Sequence, residues 1–273
     1  LYYLYLGLAL LTMILFDIDF EGGFILYYVF LASNIPFILM QATPFLGHYW
    51  SLGVEEQFYS FWPWVVRKSK SIIRTTIIVC VSLILLKCAL RYRDIALHHG
   101  DITLPYTVIH VTRFHCMLIG ALGAIFYFIR SQFFLKMTNN YLMQAISWLV
   151  IFFALINKFH IASFLDNEII AAISVVLIIG QVEQDHRIIN LENRVFNFIG
   201  KISYGIYVIH PLVIFYLSRI IKFSSMDFTL GYVLVYFSVF SVTIFVAFLT
   251  FEFFEKRFLL LKVKYDSRTL GVY

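Results

Sequence analysis

The sequence predicts an all-α fold, a polytopic bundle of transmembrane helices, on three observations. The first is composition: 61% of the 273 residues are hydrophobic and 14% are charged, whereas a soluble domain carries about 25% charged residues. The second is distribution, since long apolar runs recur along the whole chain and the charged residues cluster between them. The third is aromatic content, with 30 Phe, 18 Tyr and 4 Trp. Tyr and Trp are favoured where a helix passes from hydrocarbon to headgroup.

Crossing the hydrocarbon core takes about 20 apolar residues. The chain offers eight segments near that length, at 1–16, 51–66, 72–90, 112–130, 141–156, 168–182, 202–220 and 230–252. The stretch 24–47 is apolar but broken by Asn34, Pro36, Gln41, Pro44 and Gly47. It reads as an interfacial or re-entrant segment, with a full span as the alternative. No internal repeat or low-complexity segment is present, so 1–273 reads as one membrane domain.

Cytoplasmic loops hold the excess of Lys and Arg, and this orients the chain. Arg67, Lys68, Lys70 and Arg74 follow the second span and are expected inside. The mixed loop with Arg91, Arg93, Asp94, His98, His99 and Asp101 is expected outside, and Arg130 and Lys136 inside. Lys158, Asp166 and Glu168 are expected outside, then Glu183, Asp185, Arg187, Glu192, Arg194 and Lys201 inside. Lys222 and Asp227 fall outside, and the tail with Lys256, Arg257, Lys262, Lys264 and Arg268 inside. The chain is thus expected in the inner (cytoplasmic) membrane, among membrane lipids, with its C-terminus cytoplasmic. The formal net charge of +5 records topology, and no nucleic acid partner is expected. Cys80, Cys88 and Cys116 show no CxxC spacing and read as packing residues.

The stretch 48–64, HYWSLGVEEQFYSFWPW, is the richest in chemistry. Glu55 and Glu56 lie just inside an apolar run, where a charge costs about 2.5–3.5 kcal/mol on insertion scales, so a functional reading is the first one. The plain alternative is an acidic first turn facing the positive end of a helix, worth about 0.3–1 kcal/mol. Ser51 is placed to cap that helix. Ser51, Glu55, Phe58, Tyr59 and Trp62 then share a face on which Ser51 and Glu55 meet one ligand. His48 is expected outside or at the interface.

Three further clusters stand out. Thr112-Arg113-Phe114-His115 offers a cation and an imidazole for an anionic or sugar ligand; the alternative for Arg113 is snorkelling to the interface. In the run 199–211, His210 precedes Pro211, which leaves a helix carbonyl without its usual donor. His210 either satisfies that carbonyl or serves a ligand. Glu252 and Glu255, beside Lys256 and Arg257, read as a boundary ion-pair cluster. There is no HExxH and no clustered set of ligands, so no metal is expected.

In order, the blocks HYWSLGVEEQFYSFWPW (48–64), TRFHCMLIGALGA (112–124), IGKISYGIYVIHPL (199–212) and FEFFEKRF (251–258) resemble the acyltransferase-3 family of integral membrane acyltransferases. The resemblance implies a bundle of about ten helices in a complete member, with about eight here. It implies acetyl-CoA on the cytoplasmic side as acyl donor, with no metal. The acceptor it implies is a hydroxyl of a cell-surface polysaccharide, lipopolysaccharide or related glycan. Glu55 or Glu56 would orient a histidine base or stabilise its charge, with His48 and Ser51 as further catalytic candidates. Trp50, Gln57, Tyr59, Arg113, Tyr204, Tyr207 and His210 would line the substrate site.

The chain also departs from the family pattern. The family's first helix carries a basic residue and, further on, the histidine thought to do the chemistry; an arginine-bearing loop follows its second helix. Neither is present, and 1–16 resembles the third helix. The chain is therefore expected to lack its first helices and to be inactive alone. His115 stands where the family has Asp. The rival reading is a multi-pass transporter of a glycan or lipid, which intramembrane carboxylates suit equally, though no matched halves are visible. The sequence sets no oligomeric state.

Overall fold

A computed structural model describes residues 1–183, 188–221 and 228–261. Asp185, Arg187, Lys222, Asp227, Lys262, Lys264 and Arg268, used above for topology, lie outside the described residues. The described residues form helices and no strand. The helices are α1 (Tyr2–Leu15), α2 (Ile25–Val29), α3 (Asn34–Ile38), α4 (Trp50–Lys68), α5 (Ile72–Leu97), α6 (Leu104–Thr112), α7 (Phe114–Phe128), α8 (Gln132–Thr138), α9 (Tyr141–Leu155), α10 (Asp166–Glu183), α11 (Arg194–Ile220) and α12 (Phe228–Thr250). A π-helical turn, Phe251–Glu255, continues α12.

Each of the eight expected segments is helical. Among the described residues four helical stretches are long and apolar enough to cross a membrane: Ile72–Leu97, Leu104–Phe128, Arg194–Ile220 and Gly231–Leu261. Tyr2–Leu15 and Tyr141–Leu155 are shorter apolar helices. Helices α4 and α10 are diluted by Glu55, Glu56, Arg67 and Lys68 in one and by Asp166, Glu168 and Glu183 in the other. The stretch 24–47 holds only the five-residue helices α2 and α3, so it is not one continuous helix.

Several expected boundaries move. Arg91, Arg93 and Asp94 belong to the last turns of α5, not to a loop, and the helix ends at Leu97 just before Gly100, whose φ is +93°. The span expected at 112–130 begins at Leu104 and is broken at Arg113, which adopts φ 47°. Apolar runs mark where hydrocarbon ends, but backbone hydrogen bonding continues through polar residues until a conformational stop.

The chain sorts into two compact units of interleaved segments. The first takes Leu1–Val29, Ala42–Tyr49 and the chain from Glu192 onward. Its core is rich in tyrosine, and each buried hydroxyl finds main chain. Tyr2 donates to the carbonyl of Tyr28, Tyr5 to that of Phe45 and Tyr49 to that of Tyr2. The Tyr28 hydroxyl accepts from the amide of Thr43. Such pairing is what lets phenols sit in an apolar interior. Helices α11 and α12 pack closely where Gly205 faces the fully buried Ala247.

The second unit takes Phe30–Gln41 and Trp50–Leu191. Phe58, Cys80 and Leu118 bring α4, α5 and α7 together, with Trp62 and Phe114 against them. Gln144 on α9 donates to the carbonyls of Thr138 and Val176, which fixes α9 to α10.

Candidate functional site

Helix α11 gathers most of the expected groups that the first unit contains. Pro211 has no amide hydrogen, so the carbonyl four residues earlier, on Tyr207, receives no helical bond from it. His210 fills the gap, with Nδ1 2.8 Å from that oxygen. A carbonyl only accepts, so Nδ1 carries the proton and Nε2 the lone pair. The structural role foreseen for His210 is therefore present, and it occupies one ring nitrogen.

His48, from the 42–49 stretch, reaches the same turn of α11. Its Nε2 lies 3.2 Å from the carbonyl of Val208. By the same logic Nε2 is the donor and Nδ1 holds the lone pair. The Tyr207 hydroxyl donates to the carbonyl of His48. The two imidazole rings lie 5.2 Å apart, centre to centre, at 66°, and Tyr5 meets His48 edge-on at 5.7 Å. Neither His48 Nδ1 nor His210 Nε2 makes a hydrogen bond among the described residues. Burial, then the neighbouring His210, push the His48 imidazole down to about 4, so it is neutral at neutral pH. An apolar cavity of about 340 Å³, lined among others by Tyr5, Leu8, Ile209, Tyr216 and Val246, lies in the same unit. Tyr204 lines a separate pocket with Lys201 and Glu255.

The other expected residues belong to the second unit. Helix α4 begins at Trp50 directly after the 3₁₀ turn Gly47–Tyr49, so Ser51 sits within its first turn and does not cap it. The expected shared face divides. Phe58 is buried and stacks on Trp62 at 5.5 Å, while Glu55, Glu56 and Tyr59 are exposed. The buried stripe runs through Leu52, Gly53, Val54 and Phe58, because the aromatic and aliphatic side chains claim the packing face. Gln57 exchanges hydrogen bonds with Asn34, at 2.7 and 3.3 Å. Trp50 lies between Phe37, stacked at 5.3 Å, and the Arg113 guanidinium, 5.0 Å from its ring centre. Arg113 thus makes a cation–π contact inside the second unit.

His115 leads to a network that sequence reasoning missed. Its Nε2 lies 3.0 Å from Glu168 Oε1, and Lys87 Nζ lies 2.7 Å from the same oxygen. Lys87 and His115 are fully buried and Glu168 nearly so. Glu168, expected in an outer loop, is therefore an interior residue of α10 that ties α5 and α7 to it. The signal was available: a lysine within the apolar run 72–90 calls for a carboxylate partner. His115, Cys116 and Glu168 bring three metal-type donor atoms within 4.8 Å of one another, but the Lys87 ammonium already occupies the cationic place on that carboxylate.

At the boundary cluster Lys256 pairs with Glu252 at 2.7 Å. No curated protein matches the chain, and no solved structure does. The sequence model described as an acyltransferase domain matches residues 1–252. With a helical fold, four helices fit to cross a membrane and that match over most of its length, the chain belongs to the acyltransferase-3 family of membrane acyltransferases.

Proposed function

We propose that the protein moves an acetyl group from cytoplasmic acetyl-CoA to a hydroxyl of a cell-surface glycan or lipopolysaccharide, as an O-acyltransferase of the inner membrane with a cytoplasmic C-terminus. The observation that carries this reading is the family match over residues 1–252. The imidazoles of His48 and His210 support it, because each ring keeps one nitrogen free of hydrogen bonds and acyl transfer to a hydroxyl needs a base. Arg113 over Trp50 is suited to an anionic or sugar acceptor. Glu55 and Glu56 are exposed on α4, and the reading gives them an acid–base role.

The test is transfer of radiolabelled acetyl from acetyl-CoA to surface glycan in membranes carrying the full-length gene product. Base-labile label on the glycan is expected, and its absence across acyl-CoA donors of different chain length overturns the reading. Glu55→Gln is expected to lower the rate by about 10²–10⁴-fold if the carboxylate supports acid–base work. Glu56→Gln, turned from the Ser51 side of the helix, is expected to cost less. Full activity in both variants would make these residues helix-start charges only.

A further inference from the structure

We propose that the polar pocket between α8, the start of α9 and the end of α10 binds an adenine nucleotide, and that this nucleotide is the adenosine end of the acyl donor, coenzyme A. The identity of the donor rests on the acyl-transfer reading above.

The pocket lies within the second unit. It encloses about 580 Å³ and is lined among others by Gln132, Lys136, Asn139, Asn140, Tyr141 and Glu183. Small-molecule sites commonly fall in the range of about 300–1,000 Å³. Gln132, Lys136 and Asn139 recur at i, i+4 and i+7, so they share one face of α8 and its end. The frame behind them is fixed by hydrogen bonds. Gln144 donates to the carbonyls of Thr138 and Val176 at 2.7 and 2.9 Å. Asn140 Oδ1 accepts from the amides of Leu142 and Met143. The orientation proposed from loop charges puts Lys136 and Glu183 on the cytoplasmic side, where coenzyme A thioesters are found.

One atom in this lining asks for a ligand. Asn139 Oδ1 is buried and has no hydrogen-bond partner, and a buried acceptor calls for a donor. Adenine supplies one in a matching plane. Its exocyclic amine donates to a carboxamide oxygen while the adjacent ring nitrogen accepts from the carboxamide NH2. Guanine carries a carbonyl oxygen where adenine carries the amine, which would set two acceptors face to face. The exposed ring of Tyr141 offers a surface on which a base stacks. The exposed Lys136 ammonium suits the phosphates. The Glu183 carboxylate would repel them, but it is paired with Arg130. A nucleotide held by its base and phosphates leaves the pantetheine arm and its thioester free for transfer.

Binding is read without turnover on the full-length gene product in detergent. Radiolabelled coenzyme A is displaced with adenosine 3′,5′-bisphosphate or with its guanosine counterpart. The adenosine compound is expected to act at about tenfold lower concentration or less. Asn139→Leu is expected to erase that preference. Tyr141→Ala is expected to weaken binding about fivefold or more, and Lys136→Met to weaken it with a flatter salt dependence. In the transfer assay these variants should raise KM for acetyl-CoA about 10–100-fold. Their kcat should stay within a few-fold, as for a contact equally strong in the ground and transition states. Should Asn139→Leu fail to accumulate, Lys136→Met and Tyr141→Ala, both at exposed positions, decide. Coenzyme A that does not bind, or that both bisphosphates displace equally, overturns the proposal. So do variants that leave displacement and KM within about threefold, which would make the pocket a hydrated face of α8. Acetyl transfer untouched by these variants sinks the nucleotide site and keeps the acyl-transfer reading. Adenine-selective binding lost in the variants, with no transfer by wild type, keeps the site and sinks that reading.

Discussion

Glu168 holds two basic groups on one oxygen in a place with almost no solvent, Lys87 at 2.7 Å and His115 at 3.0 Å. Removing one partner of such a pair leaves the other charge uncompensated and costs about 3–5 kcal/mol, while replacing both by apolar groups is often close to neutral. Lys87→Met is therefore expected to lower the thermal midpoint in detergent strongly, and Lys87→Met with Glu168→Leu to recover most of the loss. A single variant as stable as wild type would show the pair to be dispensable. His48 makes a second prediction at this scale. Its value in the folded chain is depressed to about 4, so on acidification the unfolded chain takes up that proton first. The stability His48 contributes is complete above the ordinary value of about 6.5 and is lost as the pH falls through about 4. Unfolding measured at pH 7.5 and 4.5 should show a larger acid loss for wild type than for His48→Gln. At this scale the sequence disclosed what local spacing can disclose. Pro211 announced the open carbonyl that His210 fills, because both lie within one helical turn. It did not disclose that His48 joins them from 160 residues away, nor that Lys87 meets Glu168, because partners on different helices leave no mark in either segment.

Helix positions were legible at the level of elements because apolar runs report burial in lipid, and each of the eight runs is helical. Helix ends were less so. α5 continues through Arg91, Arg93 and Asp94, and α11 begins at Arg194, eight residues ahead of the apolar run that revealed it. Packing between elements turns on small residues. A Cβ on Gly53 of α4 would lie 2.6 Å from Ser33 Oγ, 2.9 Å from the Ser33 amide nitrogen and 3.1 Å from the Leu31 carbonyl oxygen. Since two of these are backbone atoms, Gly53→Ala must push α4 away from the 31–33 segment, and overpacking of this kind costs about 1–3 kcal/mol. Gly7 of α1 is the contrast, with nothing within 4 Å of an added Cβ. Gly7→Ala should stabilise by about 0.5–1 kcal/mol through helix propensity. Thermal midpoints of the two variants moving in the same direction would contradict this account.

For the whole molecule, the sequence conveys a succession of spans, and the topology proposed from loop charges is open to direct test. In a background lacking Cys80, Cys88 and Cys116, Lys68→Cys should react with an impermeant maleimide only after permeabilisation, and His98→Cys should react in intact cells. Labelling of Lys68→Cys in intact cells would reverse the orientation. What a linear reading of spans does not convey is the interleaving of the two units, in which 30–41 goes with one and 42–49 with the other. This has a consequence for how the protein is made. The second unit is complete once Leu191 has been synthesised, whereas the first needs helices that the ribosome has yet to supply. Val208 follows His48 by 160 residues, which at about 5–20 residues per second is a delay of about 8–32 s. During that interval the nascent chain presents the 42–49 stretch, with His48 and Tyr49, without α11 to receive it. A stop codon placed between Leu191 and Arg194 should therefore yield a chain whose second unit resists protease while Ala42–Tyr49 is cut, and the newborn protein is most vulnerable to quality-control proteases in that window.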